Sequence, residues 1–363
     1  MVHGVVKSSS SWSLASVAML AALISFLSLP ARAEGQDLAK HFSGKTVTII
    51  VGSAPGGNYD VFARLVARFG GKHLPANPSF SVQNMPGAGG LRGLTATMKA
   101  KPDGLTIGVM NPRWVLRELV EGDIPDFDVN TVRVLGSPSG EAGRPFLLCV
   151  RRDIATSWAE ILKLGRPLKL GASAPGGPVS LAAQLVEISG GPIKMVYGYG
   201  GASDAWAAFD RKELDATQWC AETQVPRMFP EWIEKKILAP VFWHNGRPSE
   251  DWLRRIGASM PPNVFDVVNV MKDHKEAFEV GLAVGTVLGR LFVAPPGIPD
   301  AVYQAWKRAF EATVRDPGFV AAAEVAGLEV GLATAEDFGR IIRAYRELST
   351  TGRDVLKKLI PTK

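Results

Sequence analysis

The same five residues, SAPGG, occur twice in this chain, at 53–57 and again at 173–177. Each copy follows a short apolar run and precedes a helix-like pattern, which predicts a loop between a strand and a helix. The first amides of a helix have no partner within it, and the helix dipole makes this end partly positive. Because glycine has no side chain, a ligand oxygen can approach such amides closely. Each loop therefore has the chemistry of an anion-binding site.

Side chains in and beside the two loops can add hydrogen bonds to an anion, from Ser53, Asn58, Ser173 and Ser180. Two further Gly-rich segments, NMPGAGG at 84–90 and YGYGGASD at 197–204, also follow predicted strands. Open α/β sheets bind ligands at the carboxyl ends of their strands. One such loop alone would favour a tight turn that binds nothing, but two identical loops and two further Gly-rich loops favour a binding role.

The elements that carry the two SAPGG loops also resemble each other. With an offset of 120 residues, Ala63, Leu65, Val66 and the pair Gly70 and Gly71 fall on identical residues. Apolar residues after the first loop recur with the period of a helix. The repeated order of strand, loop and helix predicts an α/β fold with mostly parallel sheets.

Breaks in this order predict two lobes. The Gly/Pro/Ser-rich stretch SPSGEAGRP, at 137–145, separates two series of strands and helices and predicts a crossing. The strand-like run ILAPVFWHN, at 237–245, is predicted to return the chain, and amphipathic helices are predicted at 302–315 and 335–358. We predict a first lobe from 34–138 and 245–363, a second lobe from 139–244, and a ligand cleft between them.

Residues 1–33 have the features of a secretory signal peptide. Lys7 precedes an uncharged run rich in Ala, Leu and Ser, and an A-x-A pattern ends the segment. The apolar run is short for a membrane anchor, and no later stretch is long and apolar enough to span a bilayer. We predict cleavage after Ala33 and a soluble protein exported to the periplasm.

The composition is that of a folded protein of about two domains. Of the 363 residues, 46% are hydrophobic and 21% are charged. The formal net charge of +6 falls to +4 when Lys7 and Arg32 leave with the signal peptide, and no dense Lys/Arg block argues for nucleic-acid binding. Two cysteines, Cys149 and Cys220, either pair in an oxidising compartment or remain buried thiols, and the sequence leaves both open.

Motifs of nucleotide-binding proteins and of hydrolases are missing from the sequence. No Lys follows Gly57 where a P-loop requires it, and Arg92 occupies the third glycine position of a dinucleotide fingerprint. We find no nucleophile elbow, no H-E-x-x-H motif and no CxxC pair. His244 lies beside a predicted crossing and is expected to be a core or surface residue. The sequence therefore predicts no catalysis, no metal and no cofactor.

Three segments, TVTIIVGSAPGGNYDVFARLVA, NMPGAGGLRG and KPDGLTIGV, resemble the tripartite tricarboxylate transporter substrate-binding proteins, also called the Bug family. The later runs APPGIPDAVYQAW and AGLEV are similar to the family's C-terminal pattern. The resemblance covers most of the chain after the signal peptide, strongly to about Asn111 and more loosely beyond. It implies a two-lobed periplasmic-binding-protein fold of type II that holds a small carboxylate between its lobes.

The resemblance also implies that backbone amides and waters at the two facing loops contact the ligand. It assigns contacts to Ala54, Gly56, Gly57 and Asp60 in the first lobe, and to Ser173, Gly177 and Ser180 in the second. With the polar and Gly-rich loop residues added, the predicted ligand-binding set is Ser53, Ala54, Gly56, Gly57, Asn58, Asp60, Gly89, Ser173, Gly177, Ser180, Tyr199 and Trp219.

The chain departs from the family pattern where the rest of the ligand would be recognised. Tyr199 stands where the family often has Lys, and Trp219 stands where it often has a polar residue. Aromatic groups offer flat apolar area and favour ring-shaped partners. We therefore predict an aromatic or bulky carboxylate, with the alternative that Trp219 packs in the core of the second lobe.

The leading hypothesis is a monomeric periplasmic receptor that delivers a small carboxylate to integral membrane transporter subunits. One alternative is a secreted α/β enzyme that acts on a carboxylated or phosphorylated substrate, for which we can assemble no acid–base or metal constellation. The other alternative is a sensor that passes the binding event to a signalling partner, which the sequence does not distinguish from transport.

Overall fold

A computed structural model describes residues 37–122, 124–140, 145–172, 175–176, 180–199, 202–218, 220–222, 225–268 and 272–359. The predicted signal peptide and the predicted site residues Ser173, Gly177 and Trp219 lie outside these ranges. The described chain contains two mixed β-sheets of five strands each, with helices packed around them.

The first sheet is built from β1 (Thr46–Val51), β2 (Ser79–Asn84), β3 (Thr106–Met110), β4 (Arg133–Gly136) and β10 (Leu291–Ala294). Its order is β2-β1-β3-β10-β4, with β1 parallel to β2 and β3, and with β10 antiparallel to β3 and β4. The parallel strands end at the same edge, so the loops that follow β1, β2 and β3 lie together there.

The second sheet repeats the parallel part of this arrangement. It is built from β5 (Phe146–Arg151), β6 (Leu168–Ala172), β7 (Ile193–Tyr197), β8 (Ala216–Thr217) and β9 (Leu238–His244). Its order is β7-β6-β8-β5-β9, with β6 parallel to β7 and β8, and with β5 antiparallel to β8 and β9. The strand before each SAPGG loop, β1 or β6, is thus flanked by two parallel neighbours.

Helices follow the strands in both lobes. Those between β1 and β5 are α1 (Asn58–Phe69), α2 (Leu91–Met98) and α3 (Arg113–Glu121). Those between β5 and β10 are α4 (Trp158–Ile161), α5 (Leu181–Ile188), α6 (Ala202–Asp210), α7 (Val225–Met228), α8 (Pro230–Glu234), α9 (Glu250–Arg255), α10 (Val264–Val267) and α11 (Lys272–Thr286). The C-terminal helices are α12 (Asp300–Arg315), α13 (Pro317–Val325), α14 (Ala335–Glu347) and α15 (Thr350–Leu359).

None of the described helices is long and apolar enough to cross a membrane.

The C-terminal helical pattern differs from the prediction in one place. The helix predicted at 335–358 is two helices, α14 and α15, because Leu348 adopts an extended conformation with φ −60° and ψ 141°. The hydroxyl of Ser349 then accepts a hydrogen bond from the amide of Gly352 at 3.0 Å. A serine that bonds the backbone in this way starts a new helix rather than continuing the old one.

Two of these elements connect the lobes. Helix α11 packs against α3 of the first lobe and α5 of the second, and α15 contacts the same two helices. A continuous cluster of buried apolar residues accordingly includes Trp114 from the first lobe and Leu170 and Val186 from the second. The two lobes therefore share part of one hydrophobic core.

The chain changes sheet between Gly136 and Phe146, within the predicted crossing. The return of the chain to the first lobe is less sharply defined. Beyond the predicted limit at 245, Trp252, Leu253 and Ile256 of the α9 region still pack into the cluster that contains Trp232 of the second lobe. The exact limits of the two lobes remain a prediction.

Cys149 and Cys220 form a disulfide, which resolves the alternative that the sequence left open. The bond joins β5 to the segment that follows β8, with a Cα–Cα distance of 5.9 Å and a sequence separation of 71. Both side chains are fully buried in the second lobe. The disulfide therefore fixes the segment that follows β8, next to the predicted ligand-binding residue Trp219.

Candidate anion-binding site

The first SAPGG loop is held in place by the buried carboxylate of Asp60, which lies in the first turn of α1. Its Oδ2 accepts hydrogen bonds from the amide of Gly56 at 2.8 Å and from Nε of Arg64 at 2.9 Å. Its Oδ1 accepts from Nδ2 of Asn84 at 2.9 Å, and the same amide group donates to the carbonyl of Ser53 at 3.0 Å. These contacts connect both ends of the loop to α1 and β2.

The charge of Asp60 is stabilised by this network. Burial alone would raise the pKa of the carboxyl group, but the hydrogen bonds from Arg64, Gly56 and Asn84 outweigh it and lower the pKa. Asp60 is 2% exposed, and both of its oxygens are engaged with the loop and its neighbours. In this structure it supports the loop, and its predicted contact with the ligand stays a prediction.

The loop leaves donors at the N-terminus of α1. Gly57 is the residue before the helix, in an extended conformation with φ −76° and ψ 164°. Among the described residues, the amides of Gly57 and Asn58 have no acceptor. The hydroxyl oxygen of Ser53 is buried and likewise has no partner in the described part of the chain. Three polar groups of the predicted site, two amides and one hydroxyl, therefore lack a hydrogen-bond partner among the described residues at this helix end.

In the second SAPGG loop a glycine amide again donates to a side chain of the following helix, but the side chain is a different one. Gly176, at the position equivalent to Gly56, donates its amide to Oε1 of Gln184 at 2.9 Å. Both glycines adopt the left-handed region, with φ +84° at Gly56 and φ +70° at Gly176. Gln184 and Ser180 are both buried, at 4% and 3% exposure. The sequence repeat therefore has a structural counterpart in the described part of this loop.

Gln218 is a polar residue at the end of β8 that the sequence analysis missed. It is 5% exposed, and its Nε2 donates to the carbonyl of Gly171 at 3.2 Å. Its Oε1 is buried and has no partner among the described residues. Only its position directly before the predicted Trp219 could have suggested it.

Tyr199, which was predicted to contact the ligand, packs against the backbone at the end of β6. A Cβ atom at Gly171 would lie 3.0 Å from Cε2 of Tyr199, so the ring occupies the space that a side chain would need. The amide of Tyr199 also reaches the carbonyl of Ala172 at 3.4 Å. Its ring is partly buried and lies at the end of β6, the strand that precedes the second loop.

Gly89 lies in a turn whose backbone contacts the residue directly before the first loop. Gly87, Gly89 and Gly90 all have positive φ values, of 137°, 62° and 94°. A Cβ atom at Gly52 would lie 2.7 Å from the carbonyl oxygen of Gly90, so the two turns are in direct backbone contact. The carbonyl of Gly89 accepts a hydrogen bond from Nε1 of Trp114 at 3.1 Å. The glycines of this turn therefore have a packing role, and the predicted ligand contact of Gly89 stays a prediction.

His244 is a core residue, as expected. It is 3% exposed and stacks on Phe146 with ring centroids 5.0 Å apart. Burial lowers its pKa to about 3, so the imidazole is neutral at physiological pH. No group of His, Cys, Asp and Glu side chains suited to a metal ion occurs among the described residues.

A cavity of about 450 Å³ lies where the chain segments of the two lobes meet. Its lining combines residues before β5 and after β8 with residues of α13 and the segment beyond: Pro145, Ala221, Glu222, Val320, Glu324, Leu328, Glu329 and Val330. None of the predicted ligand-binding residues that the structure describes lines it.

No protein-family model matches the chain. A UPF0065 protein of Bordetella pertussis is 24% identical over 311 residues, which is 84% of this chain and 87% of that protein. A second UPF0065 protein, from Agrobacterium vitis, is 41% identical over 85 residues, which is 23% of each chain. UPF0065 proteins are the Bug family.

Solved structures of periplasmic binding proteins share the fold. A TctC solute-binding protein from Polaromonas matches 87% of this chain and 99% of its own, with a TM-score of 0.61 and 18% identity. The periplasmic binding protein BugD matches 87% of this chain and 97% of its own, with a TM-score of 0.56 and 20% identity. A Rhodopseudomonas palustris protein solved with adipate matches 86% of this chain and 97% of its own, with a TM-score of 0.56 and 20% identity.

These neighbours are described as binding proteins or were solved with a bound acid, in agreement with the prediction that this chain is not an enzyme. The predicted two-lobed α/β fold is confirmed by the two sheets and by the likeness to these structures. The resemblance to the tripartite tricarboxylate transporter substrate-binding proteins, the Bug family, is confirmed in both sequence and fold.

Proposed function

We propose that this protein is a periplasmic solute-binding protein that captures a small carboxylate between its two lobes. The observation that carries the proposal is the helix end at Gly57 and Asn58, where two amides lack an acceptor among the described residues and the hydroxyl of Ser53 is buried without one. Gly57 and Asn58 are exposed, but the hydroxyl oxygen of Ser53 is buried, and an unpaired buried polar group costs about 1–3 kcal/mol. A carboxylate with two acceptor oxygens satisfies these donors, and the dipole of α1 favours its charge.

The second lobe supplies a different kind of contact. The amide of Gly176 is occupied by Gln184, but Oε1 of Gln218 is an acceptor with no described partner. An acceptor at this place suits a hydroxyl group of the ligand, or a water that bridges the ligand to the protein. The carboxylate is then held by the first lobe, and the rest of the ligand is oriented by the second.

The resemblance supports delivery to a membrane transporter. Tripartite tricarboxylate transporters take their substrates from binding proteins of this family, and a neighbour of the same fold was solved with adipate. The signal-peptide pattern of residues 1–33 agrees with export. We propose that the ligand-bound form docks on the integral membrane subunits of such a transporter, and that the binding protein itself is a monomer.

An aromatic ligand is the finer part of this proposal. It depends on Trp219, which lies outside the described residues, and on Tyr199, whose ring packs at the end of β6. Isothermal titration with benzoate and with aliphatic acids of similar size tests it. Preference for the ring, lost in Trp219→Ala, supports an aromatic ligand, whereas tight binding of aliphatic acids alone contradicts it.

Gly57→Val tests the helix-end site. A Cβ atom at Gly57 would meet only the carbonyl oxygen of Ala54, at an ordinary 3.7 Å, so the fold tolerates the side chain. The branched side chain instead covers the unpaired amides and excludes a carboxylate. We expect the wild type to be stabilised by about 2.7 kcal/mol at a ligand concentration of 100 times Kd, and the variant not to be stabilised.

Gly339→Val, in α14 and outside the predicted site, is the matched control, because its Cβ meets only the flexible end of Arg343 at 3.4 Å. Thermal-shift screening of the wild type against mono-, di- and tricarboxylates identifies the ligand, which is then used to test both variants. Unchanged carboxylate affinity in Gly57→Val would contradict the site. Loss of carboxylate uptake in cells that lack the protein supports transport, while normal uptake with a lost transcriptional response supports the sensor alternative.

A further inference from the structure

The first lobe carries a guanidinium group that has no carboxylate partner in the described part of the chain. Arg113 begins α3, directly after the loop that follows β3. Among the described residues no acidic side chain lies within ion-pairing distance of it, and no side-chain hydrogen bond of its guanidinium is present. The side chain is partly buried and remains accessible from outside. An unpaired, partly buried cation of this kind is costly unless a ligand or water compensates it.

Its neighbours are the loops of the candidate site. A Cβ atom at Gly89 would lie 3.4 Å from Nη1 of Arg113, so the guanidinium covers this glycine. Gly90 in the same turn is in backbone contact with Gly52, the residue before the first SAPGG loop. Tyr59, two residues after Gly57, is also within electrostatic range of Arg113. The guanidinium is therefore one loop away from the proposed carboxylate site.

The local packing holds the charge there. The Cζ atom of Arg113 lies 5.1 Å from the centroid of the Trp114 ring, and Nε1 of Trp114 is tied to the carbonyl of Gly89. Burial first, and then the nearby charge of Arg117, lower the pKa of Arg113, but an arginine stays protonated at any physiological pH. The position suits a second negative group on the ligand, and Arg can bind it through two parallel hydrogen bonds.

We propose that Arg113 binds a second anionic group of the ligand and selects acids with two negative groups over acids with one. The inference rests on the proposed function, because it adds a cation to the same site. It adds a positively charged side chain to a site that was predicted from backbone amides and hydrogen-bonding side chains without positive charge. The aromatic ring suggested by Trp219 is compatible with it, since an aromatic acid can carry two carboxylates.

Titration with pairs of acids that match except in their second carboxylate tests the inference. The pairs are adipate with hexanoate, succinate with butyrate, and isophthalate with benzoate. For at least one pair we expect the wild type to prefer the diacid by about tenfold or more, since hydrogen bonds to charged groups are strong. Arg113→Gln should bring the diacid down to the affinity of the monoacid and leave the monoacid within about twofold of wild type.

Arg117→Gln is the matched control. Arg117 lies one turn further along α3 and over the same ring, with Cζ 5.7 Å from the Trp114 centroid, but it is paired with Glu121. Its loss should leave the preference for diacids unchanged. Arg113→Lys keeps the charge without the planar donor pair and should retain part of the preference, which gives a second variant if Arg113→Gln is unstable.

Three outcomes would overturn the inference. Equal losses for the diacid and the monoacid in Arg113→Gln would show a purely structural role. Equal affinity of the wild type for both members of every pair would show that no second anion is bound, although the carboxylate site would stand. If the wild type binds no carboxylate at all, the proposed function fails, and the inference fails with it.

Discussion

The amide of Gly56 donates to the carboxylate of Asp60 at 2.8 Å, and the amide of Gly176 donates to Oε1 of Gln184 at 2.9 Å. Both glycines have positive φ values, and both acceptors lie in the helix that follows the loop. The acceptor is four residues after the glycine in the first lobe and eight residues after it in the second. The two loops therefore share a left-handed glycine at the equivalent position, and different side chains accept the hydrogen bond from its amide.

Replacing Asp60 with Ala should destabilise the protein by about 1.5–3 kcal/mol, because the hydrogen bonds that its charged carboxylate accepts from Gly56 and Asn84 are lost. The freed loop should also bind the carboxylate more weakly. Urea unfolding and isothermal titration measure the two effects. Arg64→Ala is the control, since Arg64 is 54% exposed and its loss should cost at most about 1 kcal/mol. Equal losses in both variants would contradict a supporting role for Asp60.

Replacing Gln184 with Leu should affect the second loop alone. The amide of Gly176 would lose its acceptor in a buried place, at a cost of about 1–3 kcal/mol of stability. Hydrogen exchange followed by mass spectrometry should then show faster exchange in the segment around Gly176 and unchanged exchange around Gly56. Uniformly faster exchange in both lobes would mean that Gln184 acts through the core and not through the loop.

Asp316 should account for part of the loss of folding stability at acidic pH. A hydrogen bond from Lys72, together with bonds from the amide of Gly318 and from His73, lowers its pKa from the usual 3.8 to about 2. The folded form thus binds the proton less readily than the unfolded form, so this contribution is complete above pH 4 and is lost as the pH falls towards 2. Asp316→Asn should be less stable than wild type at neutral pH, and the difference should vanish near pH 2 in urea unfolding series. A difference that persists unchanged at pH 2 would contradict this assignment.

Removing the disulfide should weaken the second lobe. A bridge across 71 residues restricts the unfolded chain, and its loss is expected to cost about 2–4 kcal/mol. The double variant with Ala at Cys149 and Cys220 should match the reduced wild type in urea unfolding. A wild type whose stability does not change with dithiothreitol, under conditions in which thiol labelling proves reduction, would contradict the expectation.

The strands and the main helices follow from apolar periodicity, and the repeated loops pointed correctly to a repeated strand–loop–helix unit. The sequence did not reveal the break at Leu348, because the apolar face of the pattern continues across it. Nor did it reveal Arg113 or Gln218. Both depend on their surroundings in space. Arg113 has no carboxylate near it among the described residues, and Oε1 of Gln218 is buried without a partner there. Neither property can be predicted from the residues that are adjacent in the sequence.

The helix α11, which packs against α3 in one lobe and α5 in the other, bears on the timing of ligand exchange. Separating the lobes as rigid bodies would expose part of the shared apolar cluster, at about 25 cal/mol for each Å² of apolar surface. We therefore expect opening to be slow, so that the residence time of the ligand reflects this packing as well as its own contacts. Under the proposed function, the transporter must supply the free energy of that separation, and we expect docking and ligand release to be a single coupled step.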